Sequence, residues 1–272
     1  MLSLVGYFDA GGHQDGKDVI SVGGYLSSIP AWLRFEKEWH RTLKPLGIEE
    51  FHMTDFVACQ DAFKDWKGRE DEQARLLLKL AKITKKHVRR SFSGTLFLAD
   101  WRRANEQYSL KESHCTPYAL CAFFVMDAAI RYLAHRTRNK LRARFVFEDG
   151  DKGKGDFIWM IDQVVSRNKR MFKGIKPDFQ GKELAPLQAA DFVLWEQLYV
   201  EKKRLRNPSL GRHVSRDSFK ELLGIKRTWG LMDYASLVRF CVEFEIPKRG
   251  EPMKTWSPYA VSPRSEPDEG QP

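Results

Sequence analysis

At 272 residues, 42% hydrophobic and 30% charged, the chain is long enough for one large domain or two small ones, and a single domain is expected. Forty-six Lys plus Arg against 36 Asp plus Glu leave a net charge of +10, which suits a polyanionic partner such as RNA or DNA. The cysteines, Cys59, Cys115, Cys121 and Cys241, form no CxxC pair and no even framework of short spacings, so neither a zinc ribbon nor a disulfide scaffold is indicated, and a reducing, cytoplasmic setting is expected.

The start, MLSLVGYFDAGG, lacks the basic and apolar regions of a signal peptide. No run approaches the roughly 18 apolar residues of a membrane span, so a soluble chain without a membrane partner is expected. SLVGYFDAGG (3–12) and DVISVGGYLSS (18–28) are β-rich runs close together, and predict a hairpin with Asp9 at the end of its first strand. PAWLRFEKEWHRTLKPLG (30–47) places Trp32, Phe35, Trp39 and Leu43 at helical spacing between Pro30 and Gly47. REDEQARLLLKLAKITKKHV (69–88) is a second helix, acidic in its first turn and basic in its last, as the helix dipole favours.

RSFSGTLFLAD (90–100) reads as a strand, 115–136 as a long buried helix, and LRARFVFED (141–149) as a strand ending in acids. A helix over 155–170, a short strand near 174–179 and a helix containing PLQAADFVLWE (186–196) follow. Residues 213–244 read as helical, with caps available at Ser215 or Asp217. The order predicts an α/β protein with helices on both faces of a sheet. Its domain spans 1–246, with a helical extension from about 205. Six of the twelve prolines lie from Pro247 onward, so 247–272 is expected to be a mostly disordered tail.

Three acids stand where open α/β sheets place their chemistry. Asp9 ends the first strand, Glu148 ends RFVFE, and Asp191 falls among Leu187, Leu194 and Leu198 on the apolar stripe of its helix. A carboxylate on that face needs a cation, a donor or a metal. If the elements are neighbours, a divalent cation would relieve the repulsion, and oxygen ligands without a His or Cys cluster favour Mg²⁺ or Mn²⁺. Each acid also has a plainer reading: Asp9 starts a turn, Glu148 belongs to the solvated turn EDGD, and Asp191 pairs with a buried base such as Arg144. Gln188 is either a further site residue or a surface amide.

GYFDAGG, VGGYLSSIPAWLRFEKEWHRTLKPLGIEEFHMTDF, FVFEDGD and LAPLQAADF, in that order over about residues 3 to 200, resemble the bacterial family catalogued as domain of unknown function 3800. The resemblance implies a ribonuclease H-like mixed sheet and a nuclease that hydrolyses phosphodiester bonds of RNA or DNA with two metal ions. It puts the family's acids on Asp9 and Glu148, its QxxD pair on Gln188 and Asp191, and its FH segment on Phe51 and His52. Those acids would hold the Mg²⁺ or Mn²⁺. Many members have Asp-Glu-Ser-Gly where this chain has Asp9, Ala10, Gly11 and Gly12. Asp149, Asp151 or Glu183 would then have to supply the missing carboxylate.

His52, before Thr54 and Asp55, either orients water, contacts phosphate or hydrogen-bonds in the core. Lys182 either meets a phosphate, neutralises the acids or lies on the surface. KKHVRR (85–90), RTRNKLRARF (136–145) and EKKRLRNPSLGRH (201–213) are basic segments suited to a phosphate backbone, with Arg142, Arg144, Lys202, Lys203 and Arg204 as candidate contacts. Two rivals stand beside the nuclease: a nucleic-acid-binding or sensing protein with a degenerate site, and an interaction module whose buried acids are salt-bridged.

Overall fold

The computed structural model describes residues 3–12, 18–134, 142–167, 176–206 and 216–252. Strands β1 (Ser3–Gly11) and β2 (Val19–Ser28) form the expected hairpin, although β1 runs two residues past Asp9. β3 (Arg90–Phe97) continues the antiparallel meander, while β4 (Arg142–Glu148) and β5 (Pro177–Gln180) extend the other side in parallel with β1. With β6 (Arg227–Met232) parallel to β3, the order is β5-β4-β1-β2-β3-β6. β2 alone among these runs opposite to the rest.

Helices cover both faces. On one lie α1 (Ile29–Leu43), the short α2 (Met53–Ala58), α3 (Glu70–His87), α7 (Ala185–Arg206) and α8 (Asp217–Leu223). On the other lie α4 (Leu98–Gln107), α5 (Pro117–Ala134), α6 (Lys154–Arg167) and α9 (Tyr234–Glu243). Side chains alternate across a strand, and β1 shows the sorting. Leu4 and Phe8 enter the α5–α6 core, whereas Val5 and Tyr7 face α1 and α7. β4 splits likewise, Phe145 and Phe147 to one side and Val146 to the other.

α1 carries Trp32, Phe35 and Trp39 on its buried stripe as expected, and the Trp32 indole donates to the Val5 carbonyl at 2.9 Å. α7 crosses β1 and β2 closely because glycines lie beneath it: a Cβ at Gly11 would overlap Leu198, and one at Gly23 would meet Leu194 Cδ2 at 3.1 Å. α5 is long and apolar enough to span a bilayer, with a mean hydropathy of 1.3, although no such run was expected. In the fold 67% of it is buried.

Four expectations change. The strand expected over 90–100 stops at Phe97, where α4 begins. The region 213–244 is not continuous helix, because β6 separates α8 from α9. β6 is an edge strand with no fully buried residue, so it lacks the apolar run that marks an interior strand. The C-terminal region is therefore part of the sheet and not only a helical extension. The first residues of the expected tail are docked: Ser109 N–H donates to the Pro247 carbonyl and Arg249 N–H to the Gln107 carbonyl, each at 2.9 Å. Residues 253–272, the cap expected at Ser215, most of the basic segments over 136–141 and 207–213, and the ends of the elements expected near 168–175 lie outside the described residues. The side chains of Arg142 and Arg204 do as well.

Candidate functional site

The sheet's alternation delivers two acids to one place. Asp9 has the parity of Val5 and Tyr7, and Glu148 that of Val146, so both point to the face that α7 covers. The parallel register of β1 and β4 ends with Phe8 opposite Phe147. Asp9 and Glu148 are the next residue on each strand. Asp191 comes down from α7 onto the same spot, at 15% side-chain exposure, against 3% for the Asp9 residue and 12% for the Glu148 side chain. Glu148 and Asp191 line one cleft of about 590 Å³, and Asp9 is buried beside it, close enough to feel the Asp191 and Lys182 charges.

The QxxD spacing on α7 does a structural task that the sequence did not reveal. Gln188 Oε1 accepts from the Trp39 indole at 2.8 Å and from the Phe51 N–H at 3.2 Å, while its amide donates to the Lys182 carbonyl at 3.1 Å. Asp191 Oδ2 accepts from the Met53 N–H at 2.7 Å. One turn of α7 thus grips the backbone on either side of His52. Gln188 is a buried positioning residue, not a surface amide.

His52 is held at the cleft's edge. Its Nε2 is 2.9 Å from Lys182 Nζ and 3.9 Å from Asp191 Oδ2, and its Nδ1 is 3.1 Å from Asp55 Oδ2. An ammonium has donors only, so the lysine contact makes Nε2 an acceptor and leaves the ring proton on Nδ1, directed at Asp55. The core reading of His52 is replaced by one at the cleft.

Lys182 Nζ also lies 3.0 Å from Glu148 Oε1. Its charge favours the ionised forms of Asp9 and Asp191. It is the cation among the acids, and Arg144, the alternative partner considered for Asp191, instead bonds Asp178 and does not line the cleft. Among the described residues, no three His, Cys, Asp or Glu side chains are already drawn into a ready metal shell.

The acids are nonetheless poorly compensated. Burial, and then the Asp191 charge, push the Asp9 carboxyl well above its usual range, against the opposing pull of Lys182 and the Ala10 N–H. Burial likewise raises Asp191 despite the Met53 N–H and the Lys182 charge. Asp151, on the cleft wall, is raised to about 6 by burial and adds its own repulsion to Asp9. Asp149 lines the cleft only with an exposed side chain that Lys154 Nζ holds at 2.6 Å, which lowers its pKa. Glu183 is exposed and folds back over Gly181. Of Asp149, Asp151 and Glu183, Asp151 is the one whose charge is felt at Asp9.

Lys182→Met is expected to lower stability in EDTA by about 1–2 kcal/mol, a discounted figure because the lysine is half exposed. Mn²⁺ should restore much of that loss. Thermal melts in the two conditions check this, and equal melts for variant and wild type in EDTA would mean that Lys182 is not the counter-ion.

Beyond Asp191, α7 lines the cleft with Trp195, Tyr199 and Lys202, of which only Lys202 was expected at the site. The aromatic pair was legible as an i, i+4 repeat continuing from Asp191. In comparison with known proteins, no family model, no curated protein and no solved structure matches the chain.

Proposed function

We propose that the chain is a divalent-metal-dependent nuclease that hydrolyses phosphodiester bonds of RNA or DNA on a ribonuclease H-like sheet. The observation that carries this reading is the convergence of three acids from the first strand, a later parallel strand and a late helix, Glu148 and Asp191 lining one cleft and Asp9 buried beside them. Burial raises both Asp9 and Asp191, and the charges of Asp191 and Asp151 raise Asp9 further, which is the imbalance a hard cation relieves. Asp9, Glu148 and Asp191, joined by Asp151, would hold Mg²⁺ or Mn²⁺. Such an ion supplies Lewis acidity toward the phosphodiester and lowers the pKa of water to generate the nucleophile.

The chain's own groups do the rest. Lys182 Nζ reaches the cleft from its exposed side and offers a charge to a phosphate oxygen. His52 Nε2, with its tautomer fixed through Asp55, is a proton acceptor at the cleft edge. The net charge of +10 draws a polyanion toward these groups.

A second reading, binding or sensing without efficient turnover, is favoured by Ala10 where a second carboxylate would strengthen the site. Incubation with Mn²⁺ of single-stranded, double-stranded and hybrid RNA and DNA separates the two. The nuclease reading expects cleavage that EDTA abolishes. Salt-sensitive binding without cleavage supports the second reading, and no binding at low salt leaves an interaction module whose acids are structural.

A further inference from the structure

The cleft has two unlike sides. Its floor is acidic, whereas one wall is the flank of α7 beyond Asp191, where successive steps of four, four and three residues reach Trp195, Tyr199 and Lys202. At the helical rise, Trp195 lies about 6 Å and Tyr199 about 12 Å along the axis from Asp191.

The two rings are stacked, with centroids 5.4 Å apart and planes inclined by 15°. Cations collect around them. Arg216 Cζ lies 4.8 Å from the Trp195 ring centre and 5.2 Å from that of Tyr199, and Lys203 Nζ lies 4.4 Å from Tyr199. Arg216 is anchored from below, 3.5 Å from the fully buried Glu196. Core packing accounts for Trp195, which lies against the α1–α7 core, but Tyr199 belongs to neither core and is only half buried.

We propose that Trp195 and Tyr199 form a stacking subsite for an unpaired nucleobase, with Lys202 and Lys203 beside it for the adjoining phosphates, so that the substrate is a single strand. The inference rests on the nucleic-acid reading of the acidic floor and supplies the strand form that this reading leaves open. Each ring already covers one face of the other, and the flexible Lys203 ammonium lies over Tyr199, so a base takes that face of Tyr199 by displacing the lysine, whose charge then follows the backbone. Within a duplex both faces of each base are already covered by its neighbours, so a base reaches these rings only when it is unpaired. A strand seated this way has a linkage over Asp191 while a neighbouring base lies on the wall.

The test uses the full-length protein in Ca²⁺, with fluorescence anisotropy of labelled single strands of RNA and DNA, the same strands carrying one abasic nucleotide at each position in turn, and blunt duplexes of the same sequence. Tyr199→Ala is expected to weaken single-strand binding about tenfold, while Tyr199→Phe keeps wild-type affinity and shows that the ring, not the hydroxyl, acts. Duplex binding should be equal in all three proteins. One abasic position should weaken wild type and add nothing to Tyr199→Ala. Single-strand binding unchanged by Tyr199→Ala, equal losses on strand and duplex, or no nucleic-acid binding at all would overturn the subsite. Cleavage of the same probes in Mn²⁺ separates the two claims. Turnover indifferent to Tyr199→Ala leaves the nuclease standing without the subsite, and ring-dependent strand binding without turnover leaves the subsite standing without the nuclease.

Discussion

Asp191→Asn is expected to reduce Mn²⁺-dependent cleavage by at least about 100-fold, the scale of losing a group that holds or orients a catalytic metal. The same change should leave the metal-free protein as stable as wild type or more so. Asparagine retains an oxygen for the Met53 N–H that Asp191 accepts at 2.7 Å, so the His52 segment stays tethered. What disappears is a buried charge that repels Asp9. An acid that served only as the partner of a buried base would behave oppositely, because its loss strands the base at a cost of roughly 3–5 kcal/mol. Activity assays in Mn²⁺ and melts in EDTA, taken together, read both halves of the expectation.

Gln188→Leu should do the reverse, striking stability first. It keeps much of the volume but leaves the Trp39 indole N–H and the Phe51 N–H without the oxygen that both now share. Both groups sit in a packed aromatic region, with Phe51 edge-on to Trp39 at 5.9 Å and to Phe192 at 6.1 Å. Two stranded buried donors are expected to cost about 2–4 kcal/mol. Denaturant unfolding measures the loss. Activity should also fall, because the loop that carries His52 is released on one side. A variant as stable as wild type would show that these bonds are replaced and that α7 does not position the loop through Gln188.

Long periodic elements were legible in the sequence because their pattern is local. The β1–β2 hairpin, α1, α3, α5 and α7 follow from alternation or helical spacing within a single stretch. β6 and α4 were not legible. β6 is a short edge strand between two helices, and α4 starts within an apolar run that continues the preceding strand and has no side-chain cap. For the site, Asp9, Glu148 and Asp191 could be singled out because each is an acid closing an apolar run of a strand or lying on the apolar stripe of a helix. Their neighbourhood could be only expected, since it depends on strand order and on the depth at which α7 lies over Gly11 and Gly23. The turn EDGD shows the limit most clearly. Asp149 and Asp151 are near-equivalent as sequence, yet Lys154 draws one into solvent while burial raises the other to about 6. Lys182 and His52, 130 residues apart, meet only once the chain has folded.

Titration of the metal-free protein with Mn²⁺, by calorimetry in buffers of differing ionisation enthalpy, tests most directly whether the shared acids are a metal site. An incoming cation favours the ionised form of carboxyls whose pKa burial has raised, Asp9 and Asp191 and, to about 6, Asp151 on the cleft wall, so binding near pH 6 is coupled to proton release. Wild type is therefore expected to bind Mn²⁺ saturably near pH 6 with release of protons, and Asp9→Asn to lose most of both the binding and the release. Absence of saturable binding by wild type, or equal binding by Asp9→Asn, would contradict a metal site at Asp9, Glu148 and Asp191 and leave Lys182 as their permanent counter-ion.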